Sequence, residues 1–163
     1  MPRYNCRYHE FPARLWWEGT LRSDSRHLVL SVPCDVAYDF LADYRNDLLW
    51  RPELKTVSLK SGTAGEPGAV YEASLEWYGI TGEHELVLVE CTRPRQLHAR
   101  SQSANLCIDV VYTLHDGEDR CLLTVDYMLA MDGPLVLLEP FGWSLLMGWV
   151  NDDLPRLEKA VAG

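Results

Sequence analysis

The chain has 163 residues, 47% of them hydrophobic, which is enough for one domain with a full core and too apolar for disorder to be the default. Its net charge of -9 argues against nucleic acid and anionic membrane surfaces as main partners, because both need clustered Lys and Arg. The cysteines Cys6, Cys34, Cys91, Cys107 and Cys121 are odd in number, scattered and without a Cys-x-x-Cys pair, so they read as free thiols in a reducing cytosol.

No apolar core follows Arg3 and Arg7, so no signal peptide is read and a cytoplasmic location is expected. Residues 1–26 interleave Tyr4, Tyr8, Phe11, Trp16 and Trp17 with Arg3, Arg7, Arg14, Arg22 and Arg26. Basic residues among aromatics are also the pattern of single-strand nucleic-acid binding. Here Glu10, Glu18 and Asp24 dilute the charge, and the reading adopted is an arm that packs its aromatics on the body or on a second copy.

His27–Val32 reads as a strand, ended by Pro33. Val36, Ala37, Phe40 and Leu41 then recur at helical spacing, with Ser31 as candidate cap and Pro33 in the first turn. A second short helix is expected over Asn46–Trp50, stopped by Pro52. Six strands follow, over 54–61, 69–78, 80–91, 96–103, 106–114 and 120–131, joined by Gly-, Asn- and Asp-rich turns. Short turns between successive strands mean an antiparallel meander.

Alternation assigns faces. Tyr71, Ala73, Leu75 and Trp77 share one face; so do Leu106, Ile108, Val110, Tyr112 and Leu114, and Cys121, Leu123, Val125, Tyr127, Leu129 and Met131. The strand 80–91 stays ambiguous, since Val87/Val89 and Leu86/Leu88 compete for the inside.

Gly133–Ala160 reads as one long helix with a Gly-Pro start and few β-branched residues. Leu138, Gly142, Leu145, Trp149 and Asp153 fall near one face, with Phe141 beside them. A helix this apolar is expected to be nearly surrounded by a curved sheet. Pro140 and Pro155 are expected to kink it, with Asp152 or Asp153 capping a restarted last turn. A membrane span is disfavoured, because spans need roughly 20 apolar residues and a Glu, two Pro and two Gly intervene here.

The strand followed by Pro33-Cys-Asp-Val-Ala-Tyr-Asp-Phe-Leu-Ala-Asp43, then Leu49-Trp50-Arg51-Pro52, Gly65-Glu-Pro-Gly-Ala-Val-Tyr71, Glu90-Cys-Thr-Arg-Pro-Arg-Gln-Leu97 and the long last helix resembles the SRPBCC superfamily. That group takes in START-related lipid-transfer domains, pollen-allergen-like proteins and polyketide cyclase/dehydrase proteins, and the look is nearest to the last branch. The resemblance spans about residues 27–161. It implies an α+β helix-grip fold: a seven-stranded antiparallel sheet around the long C-terminal helix, with two short helices between strands one and two. It divides the chain into an arm, 1–26, and one domain, 27–163. It also implies a cavity between sheet and helix, with Trp50 near its mouth.

For chemistry the inward polar positions matter. Tyr71, Tyr112 and Tyr127 are candidates to donate a hydrogen bond to a carbonyl; a buried Tyr is also an ordinary core residue with its hydroxyl at the rim. His84, between Glu83 and Glu85, reads as a solvated or edge residue, and His98 shares a face with Arg100, more outward than inward. No histidine cluster supports a metal, and no Gly-rich nucleotide loop is present, so no cofactor is expected.

The expected function is binding or transport of a lipid, polyketide or aromatic metabolite. Its wall is read as Trp50, Tyr71, Leu75, Trp77, Ile108, Val110, Tyr112, Leu123, Val125, Tyr127, Leu138, Phe141, Leu145 and Trp149. One alternative is a polyketide cyclase/aromatase or dehydratase, with a Tyr as acid and a His or water as base. Another is an interaction module using the arm, including a homodimer.

Overall fold

The structure is a computed structural model and describes residues 20–77, 79–102, 106–131 and 133–163. The aromatic arm from Tyr4 to Trp17 lies outside the described residues.

The first strand, β1, runs Thr20–Leu30, so residues 20–26 of the expected arm are sheet. It pairs antiparallel with the last strand without a break, from Thr20 opposite Met131 to Leu30 opposite Cys121. Helix α1 spans Cys34–Ala42, and a 3₁₀ segment spans Tyr44–Leu49. Pro33 occupies the cap position of α1 and no side chain caps it, so Ser31 does not play the expected role. Asp43 caps the 3₁₀ segment by accepting from the Arg45 backbone N–H.

The remaining strands are β2 (Leu54–Ser61), β3 (Val70–Trp77), β4 (Ile80–Thr92), β5 (Gln96–Gln102), β6 (Leu106–Gly117) and β7 (Arg120–Met131). They form one seven-stranded antiparallel sheet in the order β1-β7-β6-β5-β4-β3-β2. Among the described residues the one non-meander step, β1 to β2, goes from one sheet edge to the other, and α1 and the 3₁₀ segment make that crossing. In the β2–β3 loop Gly62 has φ +82°, and a Cβ there would lie 2.9 Å from the Ala69 Cα.

The alternation of β3, β6 and β7 holds: Tyr71, Ala73, Tyr112, Leu114, Cys121, Leu123, Val125, Tyr127 and Leu129 all join the buried core. On β4 a bulge between Leu88 and Glu90 changes the phase. Leu86 and Leu88 point inward, and Val87 and Val89 are half-buried. One phase cannot describe a strand that contains a bulge, which is why periodicity left β4 ambiguous.

The last helix comes in two pieces: a 3₁₀ segment, Gly133–Leu138, and α2, Glu139–Ala162. Pro140 sits in the first turn, where no N–H is required. Pro155 lies inside α2, yet the helix runs on through it and Asp152 and Asp153 cap nothing. The lost hydrogen bond would go to Asn151, which is exposed, so solvent can satisfy that carbonyl.

The larger correction concerns which face of α2 is covered. Glu139, Leu146, Val150, Asp153, Leu154, Leu157 and Val161 are buried, while Leu137 is 87%, Leu138 55% and Phe141 61% exposed. The helix has two apolar faces in its first half, and the sheet takes only one. Gly133–Ala162 is long and apolar enough by composition to cross a membrane, but its last three turns are the core helix of the domain.

The cysteine reading is also corrected. Cys34 and Cys121 form a disulfide, and Cys91 is a free thiol. Cys121 is the partner of Leu30 across the sheet, and the short link after Leu30 brings the start of α1 back over it. A pair 87 residues apart carries no spacing signal that a sequence reading could use.

Candidate functional site

The interior polar site starts at the 3₁₀ segment. A tight turn, with the Trp50 and Arg51 backbone N–H groups both donating to the Asp47 carbonyl at 3.2 and 2.8 Å, aims three side chains into the grip. The Trp50 indole Nε1 donates to Asp47 Oδ1 at 3.2 Å, and Arg51 Nη1 lies 3.4 Å from Asp47 Oδ2. The guanidinium carbon of Arg51 sits 4.4 Å over the Trp50 ring, in cation–π range. Trp50 is only 1% exposed, so it orders Asp47 and Arg51 from beneath rather than standing at a mouth. The Arg51 side chain is 18% exposed and remains reachable.

Around Arg51 lie phenols. Burial alone would lower the guanidinium pKa, but Asp47 and the Tyr112, Tyr44 and Tyr127 phenols hold it well above its ordinary value. Burial pushes Tyr112 well up and Tyr127 up to about 12, so both are neutral donors at neutral pH. Tyr71 is also buried and inward, but its hydroxyl reaches the Ala42 carbonyl at 3.5 Å and its charged neighbours are Asp43 and Arg45. Two of the three expected tyrosines, Tyr112 and Tyr127, are therefore near enough for the Arg51 charge to act on them, and the third serves the end of α1.

His84 is the clearest revision. It is the cross-strand partner of Ala73 and so faces inward. Its Nε2 is 3.2 Å from the Tyr44 hydroxyl, its ring packs edge-on to Tyr44, and Nδ1 is buried without a hydrogen-bond partner. Burial, helped by the Arg51 charge, lowers its pKa, so it is a neutral imidazole at neutral pH. His98 lies on the outer face, bonded to Asp109 at 2.7 Å beside Arg100, away from this site.

Helix α2 adds Asp153, which pairs with Arg156 at 3.0 Å. Burial and the neighbouring Glu53 push its carboxyl up to about 7, and burial pushes Asp47 up to about 6. Near neutral pH both carboxyls are close to titration while Arg51 keeps its charge. Sequence reasoning missed Arg51, Asp47, Tyr44 and Asp153. For Asp153 there was a signal: it falls on the apolar face of α2 with Leu146, Val150 and Leu157, where a charge is costly.

Of the expected wall, Leu123 and Val125 are fully packed core. Leu75, Ile108, Val110, Leu145 and Trp149 are half-buried. Leu75, Ile108 and Val110 share the inward face with Tyr71 and Tyr112, whereas Leu145 follows Phe141 on the outer side of α2. Leu138 and Phe141 stand outside the grip, and the Trp77 side chain lies outside the described part. Two surface hollows are also present. One of about 370 Å³ lies between α1 and the β2–β3 loop, and one of about 300 Å³ lies against β1 and β7.

No known family matches the chain by sequence, and no curated protein matches it. Solved structures do. Ara h 8.0201 aligns at TM-score 0.69 and 12% identity, covering 88% of this chain and 99% of its own. The Zhui aromatase/cyclase from Streptomyces sp. R1128 aligns at 0.71 and 13%, covering 88% and 94%. A START superfamily protein from Mycobacterium smegmatis aligns at 0.60 and 14%, covering 83% and 98%. The chain has the helix-grip fold. At such identities the likeness carries the fold and no residue's role.

Proposed function

We propose that the chain binds a largely apolar small molecule, such as a lipid, polyketide or aromatic metabolite, with an oxygen-bearing end held at Arg51. The observation that carries this reading is a mostly buried guanidinium stacked on Trp50, facing the Tyr112 and Tyr127 phenols, with half-buried Ile108 and Val110 on the same sheet face. A planar guanidinium offers several donors in one fork, and Asp47 and the Tyr44 hydroxyl use only part of them. A carbonyl, phenolate or carboxylate matches the rest. The apolar wall supplies affinity at about 0.8 kcal/mol per buried CH₂.

A second reading, a polyketide cyclase/aromatase or dehydratase, is supported by the Tyr44–His84 pair. A neutral buried imidazole is a competent base. It would take a proton from the carbon next to a carbonyl while Arg51 holds the enolate oxygen, and the imidazolium would return that proton to the β-hydroxyl, which leaves as water as the carbon–carbon double bond forms.

The test is native mass spectrometry of the protein as purified and after incubation with a cell lipid extract, followed by extraction into organic solvent. A reproducible extra mass that leaves with the solvent is expected. In an Arg51→Met, Asp47→Asn double variant, which strands no charge, occupancy falls about ten- to a hundredfold. Clean apo masses under both conditions would sink the proposal. On prolonged incubation a carrier returns its ligand unchanged, whereas a dehydratase returns it lighter by one water.

A further inference from the structure

We infer that the Tyr44 hydroxyl locks His84 in the tautomer that carries its proton on Nδ1, so that the imidazole meets a bound molecule as a hydrogen-bond donor and not as a base. The inference rests on the binding reading above and deepens it. The bound molecule would carry a second acceptor oxygen for His84, besides the one held at Arg51.

Tyr44 opens the 3₁₀ segment that Asp43 caps, and it is buried. Its ring stands edge-on to Tyr71, with centroids 5.9 Å apart, and to His84, at 6.3 Å. A phenol has one proton to give and two lone pairs to receive with. Arg51 can only donate, so its hydrogen bond to Tyr44 ends on the phenol oxygen. Burial pushes the Tyr44 pKa well up, so the phenol keeps its own proton. Among the described residues, the group placed to accept that proton is His84 Nε2, at 3.2 Å.

A neutral imidazole has two ways to meet this hydroxyl. With the ring proton on Nε2, His84 donates to the phenol oxygen. The phenol proton then lacks an acceptor, and the Nδ1 lone pair, buried and without a hydrogen-bond partner, lacks a donor. With the proton on Nδ1, Nε2 accepts from Tyr44 and a single group, the Nδ1–H, is left over. Each buried polar group left unpaired is costly, so the second arrangement is favoured. The Arg51 charge, which helps to keep the ring neutral, also disfavours a ring proton aimed at the oxygen they share.

His84 faces inward, opposite Ala73 across the sheet, so the remaining N–H belongs to the interior of the grip. A carbonyl, ether or carboxylate oxygen matches it. The one lone pair of the ring is already engaged by Tyr44, which favours binding over the reading in which His84 is a base.

The test takes the full chain labelled with ¹⁵N, extracted with organic solvent in denaturant and refolded, into long-range proton–nitrogen correlation spectra at about pH 7.5, above the ordinary histidine value. His84 is expected to show a protonated nitrogen at Nδ1 and an acceptor nitrogen at Nε2. Tyr44→Phe keeps the ring and removes the lock, so the proton moves to Nε2 or exchanges between the two sites. A merely structural role for Tyr44 would not move it. The Arg51→Met, Asp47→Asn variant keeps the hydroxyl but frees it to turn, and both tautomers appear. In native mass measurements with the lipid extract, His84→Asn places an amide N–H where Nδ1–H stands and holds occupancy within about threefold of wild type, while His84→Leu loses about tenfold. An Nε2–H ring in the wild type, a tautomer that ignores both variants, or an Asn variant as poor as Leu would each overturn the inference. Clean apo masses beside an Nδ1–H spectrum would sink the binding reading alone; an Nε2–H ring beside a bound mass would sink this inference alone.

Discussion

Arg51 keeps its charge wherever the chain is folded, whereas the carboxyls it works beside sit near their titration points. Burial, with Arg51 opposing, pushes Asp47 up to about 6; burial and Glu53 push Asp153 up to about 7. A carboxyl whose pKa rises on folding binds its proton more tightly folded than unfolded. Its contribution is most favourable below the ordinary value of 3.8, declines through the interval, and is a fixed penalty above the folded value. Asp39, Asp43 and Asp109 have the opposite sign. Hydrogen bonds from Arg93, from Arg45, and (against burial) from His98 and Arg100 hold them low, so their stabilisation is lost as pH falls below the ordinary carboxylate range. His84, lowered by burial, costs stability as pH falls below 6.5. The wild-type curve mixes these terms, so a variant must isolate one. Asp153→Asn should be more stable than wild type at pH 8, on the order of 1–2 kcal/mol after the loss of the Arg156 pair, with the gap closing toward pH 4. Urea midpoints at pH 4, 6 and 8 measure it. A gap that stays constant across that range would mean that Asp153 titrates as an ordinary surface carboxyl.

Among the elements, α1 is tied to β7 by a covalent bond as well as by packing. The Cys34–Cys121 bridge closes a loop of 87 residues, for which loop-closure entropy gives about 4–5 kcal/mol, and real bridges deliver about 2–4. The double variant Cys34→Ser, Cys121→Ser should be less stable than the oxidised wild type by about that amount. A reductant should lower the wild type to match and leave the variant unmoved. Thiol titration in denaturant should find at least two fewer thiols before reduction than after; equal counts would remove the bridge. This pair was not legible in the sequence, because its geometry exists only once Leu30 and Cys121 are cross-strand neighbours. The faces of β3, β6 and β7 were legible, because an unbulged strand keeps a period of two. The β4 face was not, because the bulge past Leu88 breaks that period, and His84 was misplaced with it. For α2 the excess of apolar residues itself misled. Leu138, Phe141, Leu145 and Trp149 form a stripe as regular as Leu146, Val150, Leu154 and Leu157, and periodicity alone cannot choose between two good faces. Arg51 lay in a tight turn before Pro52, where no periodicity exists to say which way a side chain points.

For the whole molecule, fold and filling are coupled. A sheet of seven strands closed over one helix leaves inward residues such as Leu75, Ile108 and Val110 half-exposed, while Arg51, Asp47, His84 and Asp153 gather in the same interior. Such an interior carries apolar surface and charge that pack poorly together without a third component. A ligand that joins the two binds the folded chain and not the unfolded one, so occupancy must appear as stability. At a free concentration of a hundred times Kd the gain is about 2.7 kcal/mol, which for a chain of this size is roughly 5–10 °C in Tm. Protein extracted with organic solvent in denaturant and refolded should therefore melt about that much lower than protein as purified. Returning the extract should restore the difference, and the Arg51→Met, Asp47→Asn variant should recover little of it. The bare α2 stripe provides the control. If Leu137→Ser with Phe141→Ser leaves the recovery intact, the ligand acts inside the grip. If that pair abolishes recovery while the Arg51 variant keeps it, the bound species sits on the outside of the helix, and the interior reading of the site fails.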